Sequence, residues 1–307
     1  MKACIDIGGT KVAVSLNRDS DLNLLARRSE PTARTGANDA LARQVIRMVD
    51  QACAEIGVLP GDVQRAGVSA CGPFVMCDGV VEVAAPNVCG GIAGPARGLP
   101  NTWETALLEA PLRWRFSEVR VENDCIAALE AERRWGALQG VDHCAYVTWS
   151  TGIGMGLCVD GRVLRGKNGN AGHAGHMFVC DNDDALCGCG NVGDVEALVA
   201  GNAIERRFGL DAASLLQRAQ AGDAAALALV DGLCAVMGRA LYNVIITLDL
   251  QRISLGGSVL WNHRDFLLPR LGAQIRGKLG ALTDGCELVP AGLQDRVGDY
   301  AALALLV

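Results

Sequence analysis

The stretch Ala3-Cys4-Ile5-Asp6-Ile7-Gly8-Gly9-Thr10-Lys11-Val12-Ala13-Val14-Ser15-Leu16 decides the fold. Strand formers alternate on both sides of a glycine pair, so the chain predicts a strand, a tight glycine turn and a second strand. The pattern returns at 143–159, where His143 to Trp149 and Gly154 to Val159 read as strands around Ser150-Thr151-Gly152-Ile153. Two glycine-turned hairpins predict duplicated lobes. Between and after them, periodicity predicts helices over 40–56, 103–108, 124–138, 195–208, 224–246 and 299–306. Strands are predicted at 64–69, 79–86, 119–121 and 252–255. Alternating strands and helices of this kind define an α/β protein.

The bulk numbers exclude several function classes. At 307 residues, half of them hydrophobic, the chain can bury two cores. A net charge of -6 without blocks of like sign offers no basic footprint for nucleic acid and no polybasic face for a membrane. The opening strand is too short for a signal-peptide core, and no apolar run is read as a membrane span, so the expected compartment is the cytoplasm. Thirteen cysteines is an odd number, and most sit singly in apolar segments, among them Cys4, Cys53, Cys71, Cys125, Cys144, Cys158 and Cys234. They read as small hydrophobes in a reducing compartment, with Cys187 and Cys189 set apart for metal.

Asp6-Ile7-Gly8-Gly9-Thr10-Lys11 puts a carboxylate at a strand end, then two residues without Cβ, then a hydroxyl. Backbone amides can approach an anion closely there, and Lys11 either contacts phosphate or points to solvent. A plain β-turn would look the same. The segment is neither G-x-x-x-x-G-K-[ST] nor G-x-G-x-x-G opening a βα unit, so mononucleotide P-loop and dinucleotide readings are demoted. Ser150-Thr151-Gly152-Ile153-Gly154 again couples hydroxyls to glycines, and Leu255-Gly256-Gly257-Ser258 adds a third glycine pair after a strand. Three such turns suffice to line a triphosphate and an adenosine.

At this point the chain resembles the ROK kinases (repressors, open reading frames, kinases) of the actin and hexokinase ATPase superfamily. Asp6 to Lys11 is similar to their first phosphate loop and Ser150 to Gly156 to their second. Gly67 to Pro73, Ala85-Pro86-Asn87, Glu122-Asn123-Asp124, Gly172 to Met177, Cys187 to Glu196 and Leu255 to Ser258 follow in the family's order. The resemblance implies a two-lobed α/β fold of the actin-like ATPase (ribonuclease H-like) type with an interlobe cleft. The smaller lobe is expected at 1–116 and the larger at 117–295, with a last helix over 296–307 packing back on the first. It also implies an ATP-dependent sugar kinase using Mg²⁺, with a hexose or modified hexose as acceptor, transfer to the 6-hydroxyl and a homo-oligomer, a dimer by preference. Repressor members carry an N-terminal helix-turn-helix, whereas this sequence opens at the hairpin, which argues against a regulator. A catalytically silent sugar sensor is the alternative, and a small structural zinc module is a third reading that the length and three glycine loops disfavour.

The resemblance assigns roles residue by residue. Asp124 is the catalytic base, and Asn123, beside it, grips sugar hydroxyls, as does Asn87; read without the family, an Asn-Asp pair before a helix is an N-cap. Asp6, Gly8, Gly9, Thr10, Lys11, Thr151, Gly152, Gly256 and Gly257 serve ATP, with Asp6 holding the hydrated Mg²⁺. His176 and Glu196 meet the sugar. His173 stands where members usually have Glu, in His173-Ala174-Gly175-His176; an imidazole accepts one hydrogen bond where a carboxylate accepts several, so the acceptor is expected to differ at C2 or C3, an amino or N-acylated hexose included. The family's zinc pattern C-x-C-G-x-x-G-C-x-E is met by Cys187 and Cys189, but Asp194 takes the third cysteine position. His176, Cys187, Cys189 and Asp194 form the expected zinc set, with Cys180 or His173 as substitutes.

Overall fold

The computed structural model describes residues 1–18, 21–93, 98–180 and 184–307. The chain divides into two compact units, one of Met1–Ala131, Arg165–Asn170 and Gly298–Val307, the other of Glu132–Leu164 and Ala171–Val297.

The first unit opens on the expected hairpin, β1 (Lys2–Ile7) and β2 (Lys11–Asn17), which β3 (Leu24–Pro31) extends. α1 (Ala40–Glu55) crosses to β4 (Arg65–Ala70), followed by a small sheet of β5 (Phe74–Cys77), β6 (Val80–Val83) and β7 (Ala106–Leu107). One-turn α2 (Gly90–Ala93) precedes β7, and α3 (Glu109–Arg115) leads to β8 (Glu118–Asn123) and then α4 (Asp124–Trp135). The main sheet runs β3-β2-β1-β4-β8, antiparallel across its first three strands and parallel from β1 to β8. Leu41, Val45, Met48, Val49 and Ala52 recur at helical spacing on α1 and pack with Ile5, Val12, Val14, Leu16 and Val68 in one apolar core.

Two expectations are corrected here. Residues 103–108 form no helix; Ala106 and Leu107 pair with β6, and the helix starts at Glu109. Pro111 falls in the first turn of that helix, where its missing N–H costs no intrahelical hydrogen bond. β8, expected in the second lobe, is the fifth strand of the first sheet, and the division between units falls later, inside α4.

The second unit repeats the design. β9 (Cys144–Trp149), β10 (Ile153–Val159) and β11 (Arg162–Val163) are antiparallel. α5 (Val195–Val199), α6 (Gly201–Phe208), α7 (Ala212–Gln220) and α8 (Ala224–Leu248) intervene before β12 (Arg252–Gly256); α9 (Ser258–Trp261), α10 (Arg264–Ile275) and α11 (Gly280–Thr283) precede β13 (Glu287–Pro290). The sheet order is β11-β10-β9-β12-β13, strand for strand the arrangement of the first unit, with β9, β12 and β13 parallel. α8 is long and apolar enough to cross a membrane, contrary to the sequence reading, but Val230, Leu233, Met237, Leu241 and Ile245 form a buried stripe in this unit's core. The single helix expected over 195–208 is two, broken at Ala200, whose backbone is extended. The last helix, α12 (Val297–Ala304), belongs from Gly298 to the first unit, where Asp299 pairs with Arg27 at 2.6 Å and Arg65 donates to the Leu306 carbonyl at 2.8 Å.

All thirteen cysteines are free thiols, and nine are buried, Cys4, Cys53, Cys71, Cys144, Cys158 and Cys234 among them.

Candidate functional site

In the first unit the β1–β2 turn is closed by Gly8 N–H donating to the Lys11 carbonyl at 2.8 Å. Two consecutive carbonyls of this turn are tied back from one segment: Thr32 Oγ1 donates to Gly8 O and an Arg34 guanidinium N–H to Gly9 O, each at 2.7 Å. A trans peptide points its N–H opposite to its C=O, so these ties turn the amides of Gly9 and Thr10 the other way. Among the described residues neither amide has a protein acceptor. Adjacent unused amides of this kind make an anion nest. Asn87 lies against the turn so closely that a Cβ on Gly9 would come within 2.2 Å of its Nδ2, which is why this position has no side chain.

Asp6, at the end of β1, accepts from Ser69 Oγ at 3.3 Å. Burial, and then the charge of Asp124, push its carboxyl up to about 6, against the pull of Ser69 and Lys11. Asp124 opens α4 and is exposed, while Asn123 is buried; Asp124 Oδ1 and Asn123 Oδ1 both accept from the Cys125 amide, at 2.8 and 3.0 Å. The N-cap geometry is therefore present, and it leaves the Asp124 carboxylate at the surface, within electrostatic reach of Asp6. Lys11 and Thr10 are exposed.

The second unit builds an equivalent turn from different parts. Between β9 and β10, Ser150 N–H donates to Gly152 O at 3.1 Å. The break between α5 and α6 aims the first amides of α6 at this turn: Gly201 N–H donates to Ser150 O at 2.8 Å and Asn202 N–H to Thr151 O at 3.4 Å. By the same peptide geometry the amides of Thr151 and Gly152 face away, and among the described residues they too have no protein acceptor. Gly257 backs the turn with φ +92°, where a Cβ would lie 2.4 Å from Trp149 O, so both its conformation and its space require glycine. Gly256 precedes it at the end of β12.

Glu196, in the first turn of α5, accepts from the Ile153 amide at 3.1 Å and from Cys187 Sγ at 3.7 Å, which ties it to the strand after the glycine turn. His176 Nδ1 lies 3.2 Å from Asp194 Oδ2 and 3.6 Å from Cys187 Sγ; Cys189 Sγ lies 3.6 Å from the same carboxylate oxygen. One ligand atom from each of His176, Cys187, Cys189 and Asp194 falls within 4.8 Å of the others, and neither Cys180 nor His173 joins this set. Asp194 is fully buried, and its second oxygen caps α5 by accepting from Ala197 N–H at 2.7 Å. Burial would raise its pKa, but the His176 and Ala197 hydrogen bonds outweigh it and hold the carboxyl below its usual value. The same Asp194 bond raises the His176 imidazole, and burial pushes the Cys187 thiol up. The His173 ring stacks toward His176, with centroids 6.3 Å apart.

Sequence reasoning did not find Thr32, Arg34, Gly201 or Asn202. Thr32 and Arg34 follow a strand that lacks alternation, and the α6 amides follow a helix break that Gly201 alone signals.

Two sheets of identical strand order, each with a glycine turn whose consecutive amides are unused, define an actin-like ATPase fold. The ROK family model matches residues 2–306. The chain is 28% identical to a glucokinase of Aeropyrum pernix over 98% of its own length and 95% of the relative's. It is 32% identical to an N-acetylmannosamine kinase of Citrobacter koseri, covering 83% of this chain and 82% of that one. The crystal structure of a ROK hexokinase from Thermus thermophilus matches with a TM-score of 0.78 and 31% identity, over 98% of this chain and 96% of the other. The chain belongs to the ROK family.

Proposed function

We propose that this protein is an ATP-dependent sugar kinase that transfers the γ-phosphoryl group to a hydroxyl, the 6-hydroxyl, of a hexose or an amino or N-acyl amino hexose. The observation that carries the reading is the pair of turns at Gly8–Thr10 and Ser150–Gly152, each with two adjacent amides that have no protein acceptor among the described residues. Phosphate oxygens are the natural occupants of such nests. Thr10, Lys11 and Thr151 add a hydroxyl, a cation and a hydroxyl at their rims, and Gly256 and Gly257 line the approach to the second turn.

Phosphoryl transfer through a loose transition state needs alignment of the acceptor oxygen, an acceptor for its proton and charge neutralisation. Asp124 accepts the proton from the sugar hydroxyl, and Asn123 and Asn87 hold neighbouring hydroxyls. His173, His176 and Glu196 hold others. Asp6 fits a divalent cation, since burial and the Asp124 charge both make its carboxylate costly without one. Magnesium there, bound through water, would neutralise phosphate charge.

An N-acylated acceptor is supported by His173, a donor-acceptor imidazole in the place of a carboxylate, and by the identity to N-acetylmannosamine kinases. The test is ADP release over a panel of hexoses, amino hexoses and N-acyl amino hexoses. We expect saturable, sugar-dependent release with at least one of them. Sugar binding with no release from any would instead make the protein a silent sensor.

Two thiols, an imidazole and a carboxylate whose ligand atoms all lie within 4.8 Å of one another match the donor chemistry of a structural zinc site. Zinc held by His176, Cys187, Cys189 and Asp194 would fix the segment that carries His176 and Glu196, and would activate no water. Purified protein is expected to carry about one zinc per chain by elemental analysis, and Cys189→Ser to lose it and melt several degrees lower. Absence of zinc after metal-replete expression would retire the site.

A further inference from the structure

Resting on the phosphate reading of the first turn, we infer that Arg34, with Thr32, is a positioning residue that sets the nucleotide affinity of that turn. The two turns differ in how their carbonyls are tied. In the second unit backbone amides of α6 do it. In the first unit two side chains do it, and one of them is a cation. A guanidinium on Gly9 O orients the Thr10 amide through the rigid peptide plane and also places positive charge directly behind the nest.

The segment that carries both side chains is held on every side. Thr32 N–H donates to Thr10 O at 3.1 Å, and Gln44 clasps the backbone by accepting from Ala33 N–H and donating to Pro31 O, both at 2.8 Å. Asn101 donates to the Arg34 carbonyl at 3.1 Å while accepting from Gly90 N–H at 2.7 Å, and the Trp103 indole N–H donates to Gly36 O at 3.0 Å. Arg34 is thus set in position before any ligand arrives, so little reorganisation is needed on binding. The Gly9 carbonyl that it takes is next to the position where Asn87 leaves no room for a side chain. The turn is pressed from one side and pulled from the other.

The experiment measures binding of AMPPNP with magnesium by calorimetry, and KM for ATP and for the sugar separately, in wild type, Arg34→Ala, Arg34→Lys and Thr32→Val. A hydrogen bond from a charged group predicts that Arg34→Ala weakens AMPPNP by about 10- to 100-fold and raises KM for ATP in parallel. KM for the sugar should move by less than about twofold, a split that a general loss of packing would not produce. Arg34→Lys, which keeps the charge and a donor, should recover part of the loss. Thr32→Val, nearly isosteric and lacking only the hydroxyl, should weaken AMPPNP by about 2- to 10-fold, and it decides the matter if Arg34→Ala does not fold. Wild-type affinity in Arg34→Ala or in Thr32→Val would overturn the inference and leave the phosphate reading standing. Failure of the wild-type protein to bind AMPPNP would overturn both.

Discussion

Asp124→Asn is expected to lower kcat by about 10²- to 10⁴-fold, the range that a positioned general base contributes. The replacement removes the proton acceptor and keeps the shape. The Asn side-chain oxygen can still accept from the Cys125 amide, and Asn123 Oδ1 accepts from the same amide, so the start of α4 stays capped. Sugar affinity measured by calorimetry should therefore stay close to wild type while turnover collapses. Loss of kcat with an unchanged binding constant separates a base from a residue that merely grips a hydroxyl. Turnover near that of wild type would remove Asp124 as the base.

The second large effect concerns stability. Glu132, the residue after the unit boundary, is completely buried, yet among the described residues no ion pair is formed by it. Its carboxylate is instead surrounded by donors: Ala137 N–H, Ser254 Oγ and Gly292 N–H reach Oε2 at 2.9 Å each, and Leu293 N–H reaches Oε1 at 2.8 Å. One side chain thus joins the end of α4, the interior of β12 and the segment after β13. Glu132→Ala leaves four donors without this acceptor, the buried Ser254 hydroxyl among them, and opens a cavity. Removing one partner from such a charged buried network costs about 3–5 kcal/mol. Urea denaturation followed by circular dichroism should show that loss; a change below about 1 kcal/mol would mean that water replaces the carboxylate.

The hairpins around Gly8-Gly9 and Ser150–Gly152 were legible because period-2 alternation and a glycine pair are local signals, and their repetition predicted the duplicated sheets. The four-donor cluster was legible because Cys187, Cys189 and Asp194 lie close in sequence and His176 is a short distance away. What could not be read depends on contacts between distant segments. Nothing near Thr32 or Arg34 marks them as partners of the Gly8 and Gly9 carbonyls, which lie on the far side of β2 and β3. The break at Ala200 is enforced by what surrounds it, the Trp149 indole taking the Val199 carbonyl and the Ser150 carbonyl taking the Gly201 amide. Glu132 reads as one charge among several on an amphipathic helix, and only the fold shows that it points inward. The helix misplaced over 103–108 is a different kind of miss: so short an apolar run fits either period, and only the pairing of Ala106 and Leu107 with β6 makes it a strand.

Phosphorus-31 NMR of the protein with ATP, magnesium and each sugar of the panel follows the transferred group itself. The account predicts that the γ-phosphate resonance of ATP falls while a sugar monophosphate ester grows at the same rate, for at least one sugar. An unchanged ATP spectrum with every sugar, or release of inorganic phosphate with no ester, would contradict it.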